Sequence, residues 1–159
     1  MNWLYLIGRI LFGLIFIVAG IFGHFFDLSA TAQYAEGAGV PLPTLAVIVS
    51  GVMITLGGLS LWLGFMMEIG TWLLIIFLVV AAFLVHDFWT VSDPAMMAVQ
   101  RAAFLKNLSV TGGALILFWV VRAHGYGPFA LGRRMGGGAG RAAPSPEPSA
   151  PGGEVGTGI

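Results

Sequence analysis

The stretch EIGTWLLIIFLVVAAFLVHDF, from Glu68 to Phe88, decides the fold class. A helix needs about 20 mainly apolar residues to cross a hydrocarbon core of roughly 30 Å, and this stretch supplies them. Three more stretches reach that length, from about Trp3 to Phe25, from Pro43 to Phe65 and from Ala102 to Val121. The chain is therefore expected to be an all-α integral membrane protein, a four-helix bundle.

Composition agrees. Of 159 residues, 58% are hydrophobic and only 9% charged, whereas a soluble domain carries about 25% charged residues. The net charge is zero, so no basic face exists to neutralise phosphates, and nucleic acid is excluded as a partner. The chain has no cysteine. That removes disulfide exchange, thiolate metal sites and cysteine-held iron–sulfur clusters. The first span sits where a signal peptide would, but its apolar run is too long and lacks a small-residue cleavage site, so it is expected to stay in place.

The fourth helix begins ahead of its apolar run. Asp93-Pro94 provides an N-cap followed by proline at the first helical position, and no strong breaker follows before His124 except Gly112-Gly113. Between the first two spans, Ser29 or Thr31 can cap a short helix through Tyr34 and Glu36 that ends at Gly37 or Gly39. Ala19 with Gly23, and Gly51 with Thr55, have the i, i+4 spacing of close helix contacts, and Gly57-Gly58 and Gly112-Gly113 extend that pattern. Residues 1–124 form the membrane domain in this reading. Residues 125–159, rich in glycine, proline, alanine and arginine, cannot bury enough apolar area to fold alone and are expected to form a flexible tail.

Arginine and lysine placement sets the expected orientation. Arg9, Arg122, Arg133, Arg134 and Arg141 flank the ends that carry the termini, against Arg101 and Lys106 on the other side. The positive-inside rule then puts both termini in the cytoplasm. The opposite face collects His24, Asp27, Gln33, His86, Asp87, Trp89, Arg101, Lys106 and Asn107. Tryptophan and histidine suit headgroup depth and lysine snorkels, so an interfacial belt explains much of this gathering. Lys106 and Asn107 stand apart, because they lie a turn or more inside the helix. An ionisable residue at such depth marks a functional pocket and needs a partner, for which Asp87 is the natural choice. We expect His24, His86, Lys106 and Asn107 to face one cavity, with Asp87 and Asp27 balancing the ammonium. On the termini side, Arg9 and Glu68 are positioned for a structural ion pair.

Several of these pieces occur in a familiar order. Ala19-Gly20-Ile21-Phe22-Gly23-His24, Gly39-Val40-Pro41, Leu56-Gly57-Gly58, His86-Asp87-Phe88-Trp89 and Phe104-Leu105-Lys106-Asn107-Leu108 together resemble the DoxX family over about residues 5–121. The resemblance implies a four-helix protein of the bacterial inner membrane. It also implies a redox setting, since the branch similar to the DoxD subunit of thiosulfate:quinone oxidoreductase passes electrons from a sulfur compound to quinone. Many relatives carry an acidic residue where this chain has Thr55-Leu56, and a basic one where it has Glu68.

Two functions stay open on these residues. In one, the protein is a quinone-linked redox protein or redox-complex subunit. Lys106 or Asn107 donates to a quinone carbonyl, and His86, steadied by Asp87 or Asp27, relays protons. The electrons must then come from another subunit or a bound reductant. In the other, the chain is a non-catalytic subunit that braces a larger membrane complex. Bis-histidine haem ligation by His24 and His86 is disfavoured because both sit at helix ends, no metal is expected, and no span carries the polar stripe of a channel.

Overall fold

The computed structural model describes residues 2–127 and 129–132. Helix α1 (Asn2–Val18) runs directly into a π-helical segment (Ala19–Phe26), followed by α2 (Leu28–Gly37), α3 (Pro43–Leu63), α4 (Met67–Val85) and α5 (Pro94–His124). Four of these stretches are long and apolar enough to cross a membrane: Trp3–Phe26, Pro43–Leu63, Met67–Thr90 and Pro94–His124. Such helices satisfy their backbone polar groups within one segment, as a bilayer demands. The all-α membrane bundle is thus present.

Helices α1, α3, α4 and α5 stand in that lateral order, each packed on the next, and the short α2 lies across α3 and the π segment. The core runs through Phe16, Ile54, Leu61, Met67, Leu74, Leu78 and Val121, while Leu11, Ile48, Ile76 and Ile116 are exposed on the outside, where lipid is the solvent. Glycines set the α1–α3 distance. A Cβ on Gly58 would lie 2.9 Å from the carbonyl oxygen of Gly13 and 2.7 Å from Ile17 Cγ1. Gly20 meets Gly51 and Thr55 one level up. Gly23 and Gly112, expected to mark contacts, have nothing within 4 Å of a built Cβ, so they do not pack against a neighbouring helix.

The π segment was not expected from the sequence. A wider turn leaves carbonyls off the ordinary ladder, and side chains take them up. His24 Nδ1 bonds the oxygen of Ala19 at 3.0 Å, and the Thr31 hydroxyl donates to the oxygen of Gly23. Helix α2 accordingly starts at Leu28, after Asp27, and Thr31 serves the preceding segment instead of capping its own helix. Asp93 does cap α5, its carboxylate accepting from Met96 N–H at 2.7 Å.

Arg9 departs from expectation. It is 2% exposed and does not pair with Glu68. Its guanidinium donates instead to the carbonyls of Tyr126 at 3.2 Å, Trp62 at 3.4 Å and Phe129 at 3.4 Å. Glu68 is met by Arg122 at 3.4 Å and by the Tyr126 hydroxyl at 3.3 Å. The chain beyond α5 therefore folds back over the bundle's end. Leu131 and Gly132 N–H bond the carbonyls of Leu63 and Gly64, both at 3.0 Å. Gly64 has φ 65°, and a Cβ there would strike Ala130 at 2.6 Å. Part of the segment expected to be loose is thus docked, and the rest of that tail, residues 128 and 133–159, lies outside the described residues.

Candidate functional site

At the end remote from the termini, α4 stops at Val85, and a short turn over Phe88–Thr90 leads to α5. Edge-on rings fasten this corner. Phe104 of α5 lies 5.3 Å from Phe83, 5.5 Å from Phe88 and 5.7 Å from Trp89, centroid to centroid. Aromatic pairs favour such angles. His86 leaves the corner with Nδ1 2.8 Å from Gln100 Oε1, and Gln100 Nε2 donates to the Tyr34 hydroxyl at 2.8 Å. An amide oxygen has no hydrogen to give, so Nδ1 of His86 carries the proton, and a neutral ring then keeps Nε2 as its acceptor. Gln100 thereby ties α4, α5 and α2 together.

Two cavities meet at His86. One, about 190 Å³, lies between α1, α4 and α5 and is lined by His86, Lys106 and Asn107 among apolar residues including Phe16, Phe77 and Leu78. The other, about 250 Å³, lies under α2 between α3 and α4, with His24, Thr31, Tyr34, Ser50 and His86 on its walls. The single cavity expected for His24, His86, Lys106 and Asn107 is thus divided, because Phe77, Ala81 and His86 stand between the halves.

Within the first cavity, Asn107 is 7% exposed, and its side-chain amide has no hydrogen-bond partner among the described residues. Lys106 is exposed and has no ion pair among the described residues. Asp87 does not balance it: the Asp87 carboxylate accepts from Thr90 Oγ1 at 2.9 Å and faces a separate outer cleft with Gln33 and Gln100. Nor does Asp27, which is exposed at the start of α2. Neither aspartate forms an ion pair with Lys106 among the described residues.

Sequence reasoning passed over Gln100 and Tyr34. One signal was present: Gln100 and Asn107 are seven residues apart, which places them on one face of α5. Among the described residues no group of three or more histidine or carboxylate side chains gathers closely enough to hold a metal ion.

The DoxX family profile matches residues 4–87, from α1 through the end of α4, and so includes both His24 and His86. Two curated relatives agree. The inner membrane protein YphA of Escherichia coli (strain K12) is 33% identical over 114 residues, covering 72% of this chain and 80% of the relative. The inner membrane protein YqjF of the same organism is 33% identical over 115 residues, covering 70% and 79%. No solved structure matches the chain. With half of its length matched by the profile and most of each relative covered, the chain belongs to the DoxX family.

Proposed function

We propose that this DoxX protein works in the bacterial inner membrane as a quinone-linked redox component, holding a quinone head group in the cavity of His86, Lys106 and Asn107. The observation that carries this reading is Asn107, 7% exposed and with its amide unpartnered among the described residues, lining with Lys106 a cavity whose other walls are mostly apolar. Two donors next to each other suit carbonyl oxygen, and apolar walls suit a flat ring. When bound, a quinone supplies the two-electron chemistry; the residues of this chain bind, orient and manage protons. His86, held at Nδ1 by Gln100, has only Nε2 left to give or accept a proton. The reductant belongs to a partner subunit or a second ligand. By the distribution of arginine and lysine, this cavity lies toward the non-cytoplasmic side and both termini lie in the cytoplasm.

The inner-membrane placement draws support from the printed names of both relatives. A test of the site uses purified protein in lipid nanodiscs titrated with short-chain ubiquinone and menaquinone analogues. We expect saturable binding that weakens at least about tenfold in Lys106→Met and in Asn107→Leu, the scale of a lost hydrogen bond to a charged or buried group. Binding that is unchanged in Lys106→Met and His86→Ala would sink the assignment.

A bracing role in a larger complex is the second reading. Docking of residues 129–132 on the bundle favours it, since it fixes the chain after α5 on the face that carries Arg9. Native mass spectrometry of mildly solubilised membranes separates the two readings: a lone monomer with quinone-dependent activity removes the second.

A further inference from the structure

We infer that the chamber roofed by α2 is a second binding site, for a small neutral molecule that carries a hydroxyl on a flat apolar body. It goes beyond the quinone reading and does not depend on what occupies the Lys106 cavity.

The chamber's polar atoms are the ground for the inference. His24 donates from Nδ1 to the oxygen of Ala19 at 3.0 Å, which leaves Nε2 as the ring's acceptor. Ser50 donates its hydroxyl proton to the oxygen of Val47 at 3.1 Å, and Thr31 donates its own to the oxygen of Gly23. Each of these three side chains has its proton committed to backbone and retains lone pairs. Tyr34 is the exception. Its oxygen accepts from Gln100 Nε2 at 2.8 Å, so its own proton is uncommitted. The walls thus offer several acceptors and one donor. A hydroxyl, which gives one hydrogen and accepts another, satisfies both kinds.

Charge and shape narrow the class further. No lysine, arginine, aspartate or glutamate lines the chamber. A full charge would lose its water there without a counter-ion, at a cost of several kcal/mol, so anions and cations are both disfavoured. The remaining walls are apolar, and the Phe77 ring stands edge-on to His24 at 6.0 Å between centroids. A volume of about 250 Å³ admits a small ring but not a long-tailed lipid. Access is from the bilayer. Val80 and Leu84, 49% and 50% exposed on α4, line the chamber opposite Ala46 and Ser50 of α3. A ligand that partitions into lipid can therefore enter between those two helices.

The chamber shares His86 with the Lys106 cavity, so the two ligands would sit on either side of one imidazole. Fluorine NMR of the full chain in nanodiscs tests the site, with empty nanodiscs as the reference for partitioning. The probes are para-fluorophenol, para-fluoroanisole, which lacks the hydroxyl hydrogen, and para-fluorobenzoate, which is anionic. We expect the phenol to bind saturably and about tenfold more tightly than the anisole, as befits one hydrogen bond. We also expect no saturable binding of the benzoate. The preference for phenol should disappear in His24→Phe and shrink in Ser50→Ala, a milder change that covers the event of misfolding in the first, while Lys106→Met leaves it intact. Equal binding of phenol and anisole, absence of saturable phenol binding, or a preference that survives in both His24→Phe and Ser50→Ala would overturn the proposal.

Discussion

The carbonyl of Tyr126 accepts from buried Arg9 while the hydroxyl of the same residue donates to Glu68. One residue just past α5 thus bridges, through its backbone and its side chain, a cation and a carboxylate that do not meet directly. Arg9 also lies over the Tyr5 ring, 5.9 Å from its centroid, a distance at which a cation is attracted to the aromatic face. The guanidinium acts as a peg around which the chain after α5 is wound.

Replacing that peg should free the docked segment. For Arg9→Met we expect a loss of about 1.5–3 kcal/mol, the range for hydrogen bonds to charged groups. Faster hydrogen exchange at the Leu131 and Gly132 amides should accompany it, since their bonds to Leu63 and Gly64 depend on the segment staying down. Unaltered exchange at these two amides would show that Arg9 does not hold the segment.

Gln100 should prove a positioning residue. Gln100→Leu leaves His86 Nδ1 and the Tyr34 hydroxyl without the partners they now have. The expected cost is about 1–2 kcal/mol for these bonds together, with increased exchange in α2. Gln100→Glu retains an acceptor for His86 and should recover part of the loss in thermal unfolding.

Asn107→Leu should leave stability little changed. The amide makes no hydrogen bond among the described residues, so its loss should leave ligand-free protein about as stable. The same variant should bind quinone analogues poorly. A marked drop in thermal stability would instead reveal a structural role for the amide.

The α1–α3 crossing should tolerate no added bulk. Gly58→Val forces side-chain atoms toward the Gly13 carbonyl and Ile17, an overpacking that costs about 1–3 kcal/mol. Trp62→Phe, which removes the indole bond to the oxygen of Ile10 at 2.8 Å, should cost less, about 0.6 kcal/mol on the average for such contacts in a bilayer. Unfolding in mixed micelles should rank the two in that order.

The sequence by itself determined the four spans, the cap at Asp93-Pro94 and the gathering of His24, His86 and Asn107 toward one end of the bundle. These follow from local properties: hydrophobic length, a carboxylate beside a proline, and alternating spans that return the chain to the same side. Tertiary structure alone decided the rest. His24, in the π segment, lines the chamber under α2 and not the Lys106 cavity, and it packs there against Gly51 of another helix, a contact that no pattern within Ala19–Phe26 records. His86 divides the expected pocket because Gln100, 14 residues later, orients its ring. Arg9 pairs with carbonyls instead of Glu68 because residues more than 100 positions away fold back upon it. Each outcome rests on helix rotation and on long-range partners competing for one polar group, and neither periodicity nor composition records that competition.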